Sequence, residues 1–591
     1  MKSASALIAV SLVTFILVIS SAINAGQSQT PKPSQSTGKA YASGDSAIKP
    51  GAAPQAPSPV TFADITALSG ISFKHAASQT SQKYLPESMG AGVALLDYDN
   101  DGRLDLFFTN GAKLEDPMSK GAMPDKRDAK YWNRLYRQKS DGAFEDATER
   151  AGVKGEGYSM GAACADYDND GWIDIYATGY GRNLLYRNNG DGTFTDVTKK
   201  LGVAGSGWSA SAAWVDYDCD GRLDLFVARY MDWDFERGSI YCGDQRPGMR
   251  AYCHPDNFKG ATNLLYHQKP DGSFEDVSVA ARIADPAGKG LGVAVADIDN
   301  DEWPDIIVAN DSVRQSLYRN LGNGTFEDIA LPAGIGYDED GKTFAGMGID
   351  AADYDDDGLP DIIITALSNQ TYPLFRNNGD KTFNYETKNS GVGQTTLLYS
   401  GWGTRFVDAD NDGLRDLFAA QGHVLDTVEK TSSYLKYKEP LLLMRNTGKG
   451  FVDTSLSAGQ PFNVPLAARG AGVGDLNNDG QPDIVVGVLD SAPVVLRNNG
   501  TKNHWLGLAL VGTKSNRGAL GARVIVTDAR GGKRIYDVTT AGSYLSSSDP
   551  RVLIGLGAAT SVRSLEIRWP SKRTQIIENP SIDRYRTIKE Q

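Results

Sequence analysis

Seven acidic loops recur along this 591-residue chain, each with carboxylates at alternate positions and a further Asp four residues on. In the first, Asp97, Asp99 and Asp101 take positions 1, 3 and 5, and Asp105 takes position 9. The set is Asp166, Asp168, Asp170 and Asp174 in the second loop and Asp216, Asp218, Asp220 and Asp224 in the third. The fourth has Asp297, Asp299, Asp301 and Asp305, and the fifth Asp353, Asp355, Asp357 and Asp361. The sixth has Asp408, Asp410, Asp412 and Asp416, and the seventh Asp475, Asn477, Asp479 and Asp483. A loop bent around an ion turns alternate side chains inward, so these groups converge on one point. The main-chain carbonyl of position 7 adds an oxygen, from Arg103, Trp172, Arg222, Trp303, Leu359, Leu414 and Gln481. Such a charged all-oxygen cage suits a hard cation with six to eight ligands at about 2.3–2.6 Å, Ca²⁺ before Mg²⁺. The expectation is Ca²⁺ in up to seven loops, with weaker binding, or order without metal, where Glu302 replaces the position-6 Gly and where Asn477 replaces Asp.

The residues after each loop are strand-like (Leu106-Phe107-Phe108, Ile362-Ile363-Ile364) rather than helical, which separates these loops from EF-hands. A Gly/Ala-rich strand precedes each loop and a Val/Ile/Leu/Phe strand follows it. Most copies go on to a third and a fourth strand joined by a hairpin turn, as in Asn183–Thr198 with its Asn-Gly-Asp-Gly. Loop starts are spaced by 69, 50, 81, 56, 55 and 67 residues, a repeat architecture. Four antiparallel strands repeated seven times predict an all-β fold, a seven-bladed β-propeller over residues 60–502, with a small C-terminal β domain over 503–591. The seventh repeat lacks its Phe-x-Asp strand, and a matching Phe62-Ala63-Asp64 stands alone before the first. Pairing the two closes the ring and removes a free edge.

The acidic loops then share one rim with the strand three–four turns. The three long insertions, roughly 109–133, 229–262 and 420–440, fall on the opposite rim and carry Tyr131, Trp132, Tyr230, Trp233, Tyr434 and Tyr437. Aromatic insertions on one face predict a recognition surface for a protein or glycan ligand there; loops with locally packed aromatics are the alternative.

Residues 1–25 have the pattern of a secretory signal, an apolar run from Leu7 to Ile23 behind Lys2, with an uncleaved anchor as the alternative. With the signal cleaved, no stable membrane insertion is expected, and the chain is secreted or periplasmic. Residues 26–59, rich in Ser, Pro, Gln and Gly, predict a disordered linker. The net charge of −13 divides into +3 for the first 59 residues, −23 for 60–502 and +7 for 503–591. An acidic body of this kind excludes nucleic acid as a partner. The basic C-terminal part is suited to docking on the acidic propeller, or is an ordinary charged surface. Cys242 and Cys253 share one insertion and can form a local disulfide, Cys164 reads as a buried thiol, and Cys219 is open to either state.

The C-terminal segment contains Asn503-His504-Trp505-Leu506, Ser515-Asn516-Arg517-Gly518, Gly542-Ser543-Tyr544-Leu545-Ser546 and Trp569-Pro570-Ser571. These motifs resemble the ASPIC/UnbV domain, and the repeats resemble the FG-GAP/VCBS units of integrin α-chain propellers. Together the resemblances cover residues 60–591. They imply a secreted calcium-binding propeller with adhesion or interaction roles and no settled catalytic activity. Five histidines, His75, His254, His267, His423 and His504, form no short-spaced metal motif, and neither a nucleophile elbow nor a phosphate-binding glycine loop is present. A propeller enzyme with its site at the channel mouth, and an accessory assembly protein, stand as the alternatives to a binding protein.

Overall fold

Four antiparallel strands form around each acidic loop, and seven such sheets are built between Phe62 and Asn498. In the second sheet, Tyr158–Ala165, Asp174–Tyr180, Leu184–Asn188 and Phe194–Asp196 pair in that order. The computed structural model describes residues 37–41 and 55–591. The signal segment expected at residues 1–25 and the remainder of the linker lie outside the described residues. No helix of the described residues is long and apolar enough to cross a membrane.

The first strand of each sheet lies beside the first strands of its neighbours, and the last, Ala468–Gly474, meets the first, Val93–Leu96. The result is a closed β-propeller. Phe62–Asp64 supplies the outer strand of the seventh sheet, with Phe62 opposite Asn498 and Asp64 opposite Leu496. Crowding at the axis explains the Gly/Ala character of the inner strands. A Cβ on Gly348 would stand 1.8 Å from the Trp402 carbonyl oxygen, and one on Gly92 2.4 Å from that of Leu545.

The long insertions converge over one mouth of the ring. Trp233 packs edge-on against Trp208, Tyr180 and Phe235 at ring separations of 5.4, 5.4 and 5.0 Å, and Leu114, Tyr252, Val424 and Leu435 join the same core. The aromatic recognition surface expected here is therefore corrected. Tyr131, Tyr230 and Trp233 are buried, and Trp132, Tyr434 and Tyr437 are half-buried. Each large ring gains more from packing over the channel mouth than from facing water. Cys242 and Cys253 are disulfide-bonded within this cap; Cys164 is a buried free thiol and Cys219 a half-buried one.

The linker expectation is corrected in its described parts. Thr37–Gly38 pairs in parallel with Tyr241–Gly243, the Ala40 backbone bridges Cys253, and Tyr41 is buried. Farther on, the Ala56 N–H donates to the Asp453 carbonyl at 3.0 Å. Exposed strand edges in the insertion and the sixth sheet leave backbone groups unpaired, and the segment satisfies them.

The C-terminal β domain has a three-stranded sheet of Val552–Gly557, His504–Val511 and Tyr585–Lys589. Beside it Lys533–Asp537, Arg523–Asp528, Val562–Arg568 and Thr574–Glu578 form a four-stranded sheet. Leu508, Val524, Ile567 and Trp569 share one core with Tyr167, Trp214 and Leu225 of the propeller. The Gly-Ser-Tyr-Leu-Ser segment runs into the axis. There Ser543 exchanges backbone hydrogen bonds with Ile349, the Leu545 carbonyl accepts from the Ala162 N–H, and Ser547 bonds Val93 and Leu95.

Candidate metal centres on the propeller rim

Each loop is held by its own carboxylates. Position 1 caps the turn: Asp97 accepts the N–H groups of Asp101 and Gly102 at 3.1 and 2.9 Å. Position 5 accepts the N–H of position 7, Arg103 to Asp101 at 3.1 Å. Position 9 ties the loop to the sheet: Asp105 accepts from the Tyr98 N–H at 3.0 Å and from that of Gln138, on the third strand, at 2.7 Å. The position-9 pair of bonds recurs in all seven loops, from Asp174 (Tyr167, Asn188) to Asp483 (Leu476, Asn498). In the sixth loop the Asp412 N–H turns to Asp410 instead of position 1, and Asp408 keeps only Gly413.

Outside the sixth loop, where Asp410 takes the Asp412 N–H, position 3 has no such backbone support. The inner oxygens (Oδ1) of Asp99, Asp168, Asp218 and Asp299 are buried without a hydrogen-bond partner, as is that of Asp408. Carboxylate oxygens of Asp97, Asp99 and Asp101 lie within 4.8 Å of one another, and the same holds for Asp166, Asp168 and Asp174, for Asp216, Asp218 and Asp220, and for Asp297, Asp299 and Asp305. Buried, unpaired, mutually close anionic oxygens are what a bound divalent ion would satisfy. The residues present fit Ca²⁺.

Burial is the main force on these groups, and neighbouring carboxylates add to it. It pushes Asp105, Asp361 and Asp408 up to about 8, and Asp216 up to about 7. Asp166, Asp297, Asp353 and Asp475 rise to about 6. Such carboxylates resist ionisation in the absence of a counter-charge.

The position-7 side chains have a packing role. Trp172, Trp303, Leu359, Leu414 and Gln481 lie against the glycines of the strand three–four turns, Gly190, Gly322, Gly379, Gly448 and Gly500. Arg103 and Arg222 instead fold back onto their own position-5 carboxylates, Asp101 and Asp220.

Three sets of residues not anticipated from the sequence complete the rim. The third strand sends an arginine across positions 3 and 5 in five sheets. Arg187 meets Asp168 at 2.5 Å and Asp170 at 2.6 Å, and Arg319 meets Asp299 and Asp301 at 2.6 and 2.9 Å. Arg137, Arg376 and Arg445 do the same in theirs. The next residue on that strand clamps the neighbouring sheet. Asn188 donates to the Tyr98 carbonyl at 2.8 Å, Asn320 to Tyr217 at 2.7 Å, and Gln138 to Leu476 at 3.0 Å, closing the circle. Position 4, in left-handed conformation in every loop, carries a third ring: Asn100 donates to the Gly171 carbonyl, Asn169 to Gly221, Asn411 to Gly480 and Asn478 to Gly102. The signal for all three was a repeated Leu-x-Arg-Asn and a repeated Asn at position 4 of five of the loops.

The basic C-terminal domain is seated on this rim. Arg523 reaches Asn300 and the Asp297 carbonyl, Arg551 reaches Asn478 and the Asp475 carbonyl, and Tyr585 donates to the Asp475 carboxylate at 2.9 Å. Arg534 and Lys572 donate to the carbonyls of Gly413 and Glu302.

Residues 97–177, 166–227, 256–308, 297–364 and 353–419 match the FG-GAP-like repeat family, and residues 512–591 match the ASPIC and UnbV family. The chain belongs to the FG-GAP-like repeat proteins that carry an ASPIC and UnbV domain. It is similar to cartilage acidic protein 1 of Xenopus tropicalis, 27% identical over 293 residues, which are 48% of this chain and 42% of that protein. It is similar also to cartilage acidic protein 1 of Homo sapiens, 24% identical over 363 residues, 58% of this chain and 52% of that one. The chain thus spans about half the length of the curated relatives it matches. Among solved structures, an Agrocybe aegerita lectin that recognises non-reducing terminal N-acetylglucosamine aligns at 17% identity and a TM-score of 0.36, over 68% of this chain and 87% of that one. The BP39L lectin of Burkholderia pseudomallei aligns at 11% identity and 0.37, over 69% and 95%.

Proposed function

We propose that this chain is a calcium-stabilised recognition protein of the cell exterior or periplasm, binding a protein or glycan rather than carrying out a reaction. The observation that carries the calcium reading is the set of buried position-3 oxygens, Asp99, Asp168, Asp218 and Asp299, left without a partner in four of the seven carboxylate clusters. Ca²⁺ would be held there by positions 1, 3, 5 and 9 and would supply the positive charge that lets them ionise together. The Cys242–Cys253 disulfide and the apolar first segment of the sequence support an oxidising, exported location. A channel enzyme is disfavoured because Tyr544 and Leu545 fill the axis.

Tyr131, Tyr230 and Trp233 of the insertion face are buried in packing, and the ligand site is better sought on the loop rim. A cavity of about 780 Å³ lies between the first two loops and the C-terminal domain, with Leu96, Leu104, Leu510, Trp505, Tyr585 and Arg584 in its walls. Volume, interdomain position and apolar walls with a few polar groups are those of a small-ligand site. The test is calcium titration with metal counting, followed by melting in excess EGTA. At a hundredfold excess over its dissociation constant each ion adds about 2.7 kcal/mol, so chelation should lower the melting temperature by many degrees. An unchanged melt after confirmed metal removal would overturn the reading.

A further inference from the structure

The third sheet departs from its sisters at one position. Antiparallel register places Arg137 opposite Glu145, Arg187 opposite Thr195, Arg319 opposite Glu327, Arg376 opposite Asn384 and Arg445 opposite Val452. The equivalent residue in the third sheet, opposite Glu275, is His267. A guanidinium offers donors only and stays charged, so it can balance a carboxylate pair but cannot ligate a metal. A neutral imidazole presents a nitrogen lone pair.

In the metal-free site Nδ1 donates a hydrogen bond to Asp224, and a bound ion would take the place of that proton. His267 Nδ1 lies 3.1 Å from Asp224 Oδ1 and 3.7 Å from Asp218 Oδ2. The three side chains form a cluster whose donor atoms lie within 4.8 Å of one another. The Asp224 side chain is 1% exposed, and Asp218 Oδ1 is buried with no partner. The loop's own Arg222 pairs with Asp220 and donates to the Gln268 carbonyl, leaving Asp218 and Asp224 to the imidazole.

We propose that the third loop is a mixed carboxylate–imidazole site, with His267, Asp218 and Asp224 as ligands, selective for a first-row transition divalent ion such as Co²⁺ or Zn²⁺. Imidazole nitrogen beside carboxylate oxygen suits these ions at about 2.0–2.2 Å, whereas the all-oxygen sets of the other loops suit Ca²⁺. The inference rests on reading the loops as metal sites, but its test has a separate readout.

The experiment is titration of the Ca²⁺-saturated chain with Co²⁺, followed by visible d–d absorption and calorimetry, in the wild type and in H267R, H267Q and H504A. H267R restores the residue that all six sister sheets carry, Arg497 opposite Ala63 in the seventh included, and should fold. The last variant controls for the exposed His504–Asp583 pair. One equivalent of Co²⁺ should bind to the wild type and to H504A, and binding should fall at least tenfold in both His267 variants. Equal uptake by wild type and H267R, no uptake by the wild type, or loss only in H504A would each overturn the proposal. Co²⁺ uptake through His267 by a chain that takes no Ca²⁺ would overturn the calcium reading alone.

Discussion

Tyr544, from the C-terminal domain, donates a 2.8 Å hydrogen bond to the main-chain carbonyl of Met89, at the start of the first sheet. The ring is fully buried and packs edge-on to Trp402 at 5.0 Å, so the domain seated on the loop rim is also the plug of the propeller axis. Truncation in such a site leaves a void that surrounding strands cannot fill. Tyr544→Ala should cost about 3–5 kcal/mol. Tyr544→Phe removes only the hydrogen bond and should cost about 1–3 kcal/mol through the orphaned carbonyl. Denaturant unfolding of both variants measures the difference, and equal losses would show that packing is not the main contribution.

The amide clamp between sheets gives a second expectation. Asn188 is fully buried and donates both to the Tyr98 carbonyl of the first loop and to the Ile173 carbonyl of its own, at 2.8 and 3.1 Å. Asn188→Ala strands two buried acceptors, at about 1–3 kcal/mol each. Calorimetry should show a lower melting temperature for Asn188→Ala than for an exposed control such as Asn189→Ala.

Glu590 sets a pH-dependent contribution. Its carboxylate accepts the N–H groups of Thr513, Lys514 and Ser515 at 2.8, 2.7 and 2.9 Å, and the hydroxyls of Ser515 and Ser571. Burial raises its pKa, but these donors outweigh it and bring the group down from 4.5 to about 2. A carboxylate depressed in the folded state stabilises above its unfolded pKa and loses that contribution as pH falls through the folded value. The stability gap between wild type and Glu590→Gln should therefore be full at pH 6 and shrink steadily between pH 4.5 and 2. A gap independent of pH would exclude the charge as its cause.

The carboxylate pattern made the repeat and its strand order visible, because alternate Asp residues in a tight turn and period-two apolar runs are local signals. The partner of Phe62–Asp64 was visible for a different reason: the seventh repeat lacked a strand. What local pattern did not reveal depended on three-dimensional neighbours. Tyr131, Tyr230 and Trp233 have the same composition whether they face a ligand or one another, and only the convergence of three insertions turns them inward. Arg187 lies 17 to 19 residues from the carboxylates it bridges, and strand pairing alone brings them together. Tyr41 lies in a stretch whose composition reads as linker, yet its ring is covered by an insertion some 200 residues later.

That last contact gives the fourth prediction. The Lys39 carbonyl accepts from the His254 N–H at 2.9 Å, Asn257 bonds both the Lys39 N–H and its carbonyl, and Tyr41 packs against the His254 ring at 4.8 Å. Every one of these partners lies on the turn just after Cys253, which the disulfide ties to the strand carrying Cys242. Closing even a short loop lowers the entropy of its open forms by up to about 3 kcal/mol, so Cys242→Ser/Cys253→Ser should loosen the insertion and the docked segment together. Hydrogen exchange should quicken at Ala40, at position 253 and at His254 while the inner strand Tyr158–Ala165 keeps its protection. Unchanged exchange at His254 would show that packing around Tyr41, rather than the disulfide, holds the segment down.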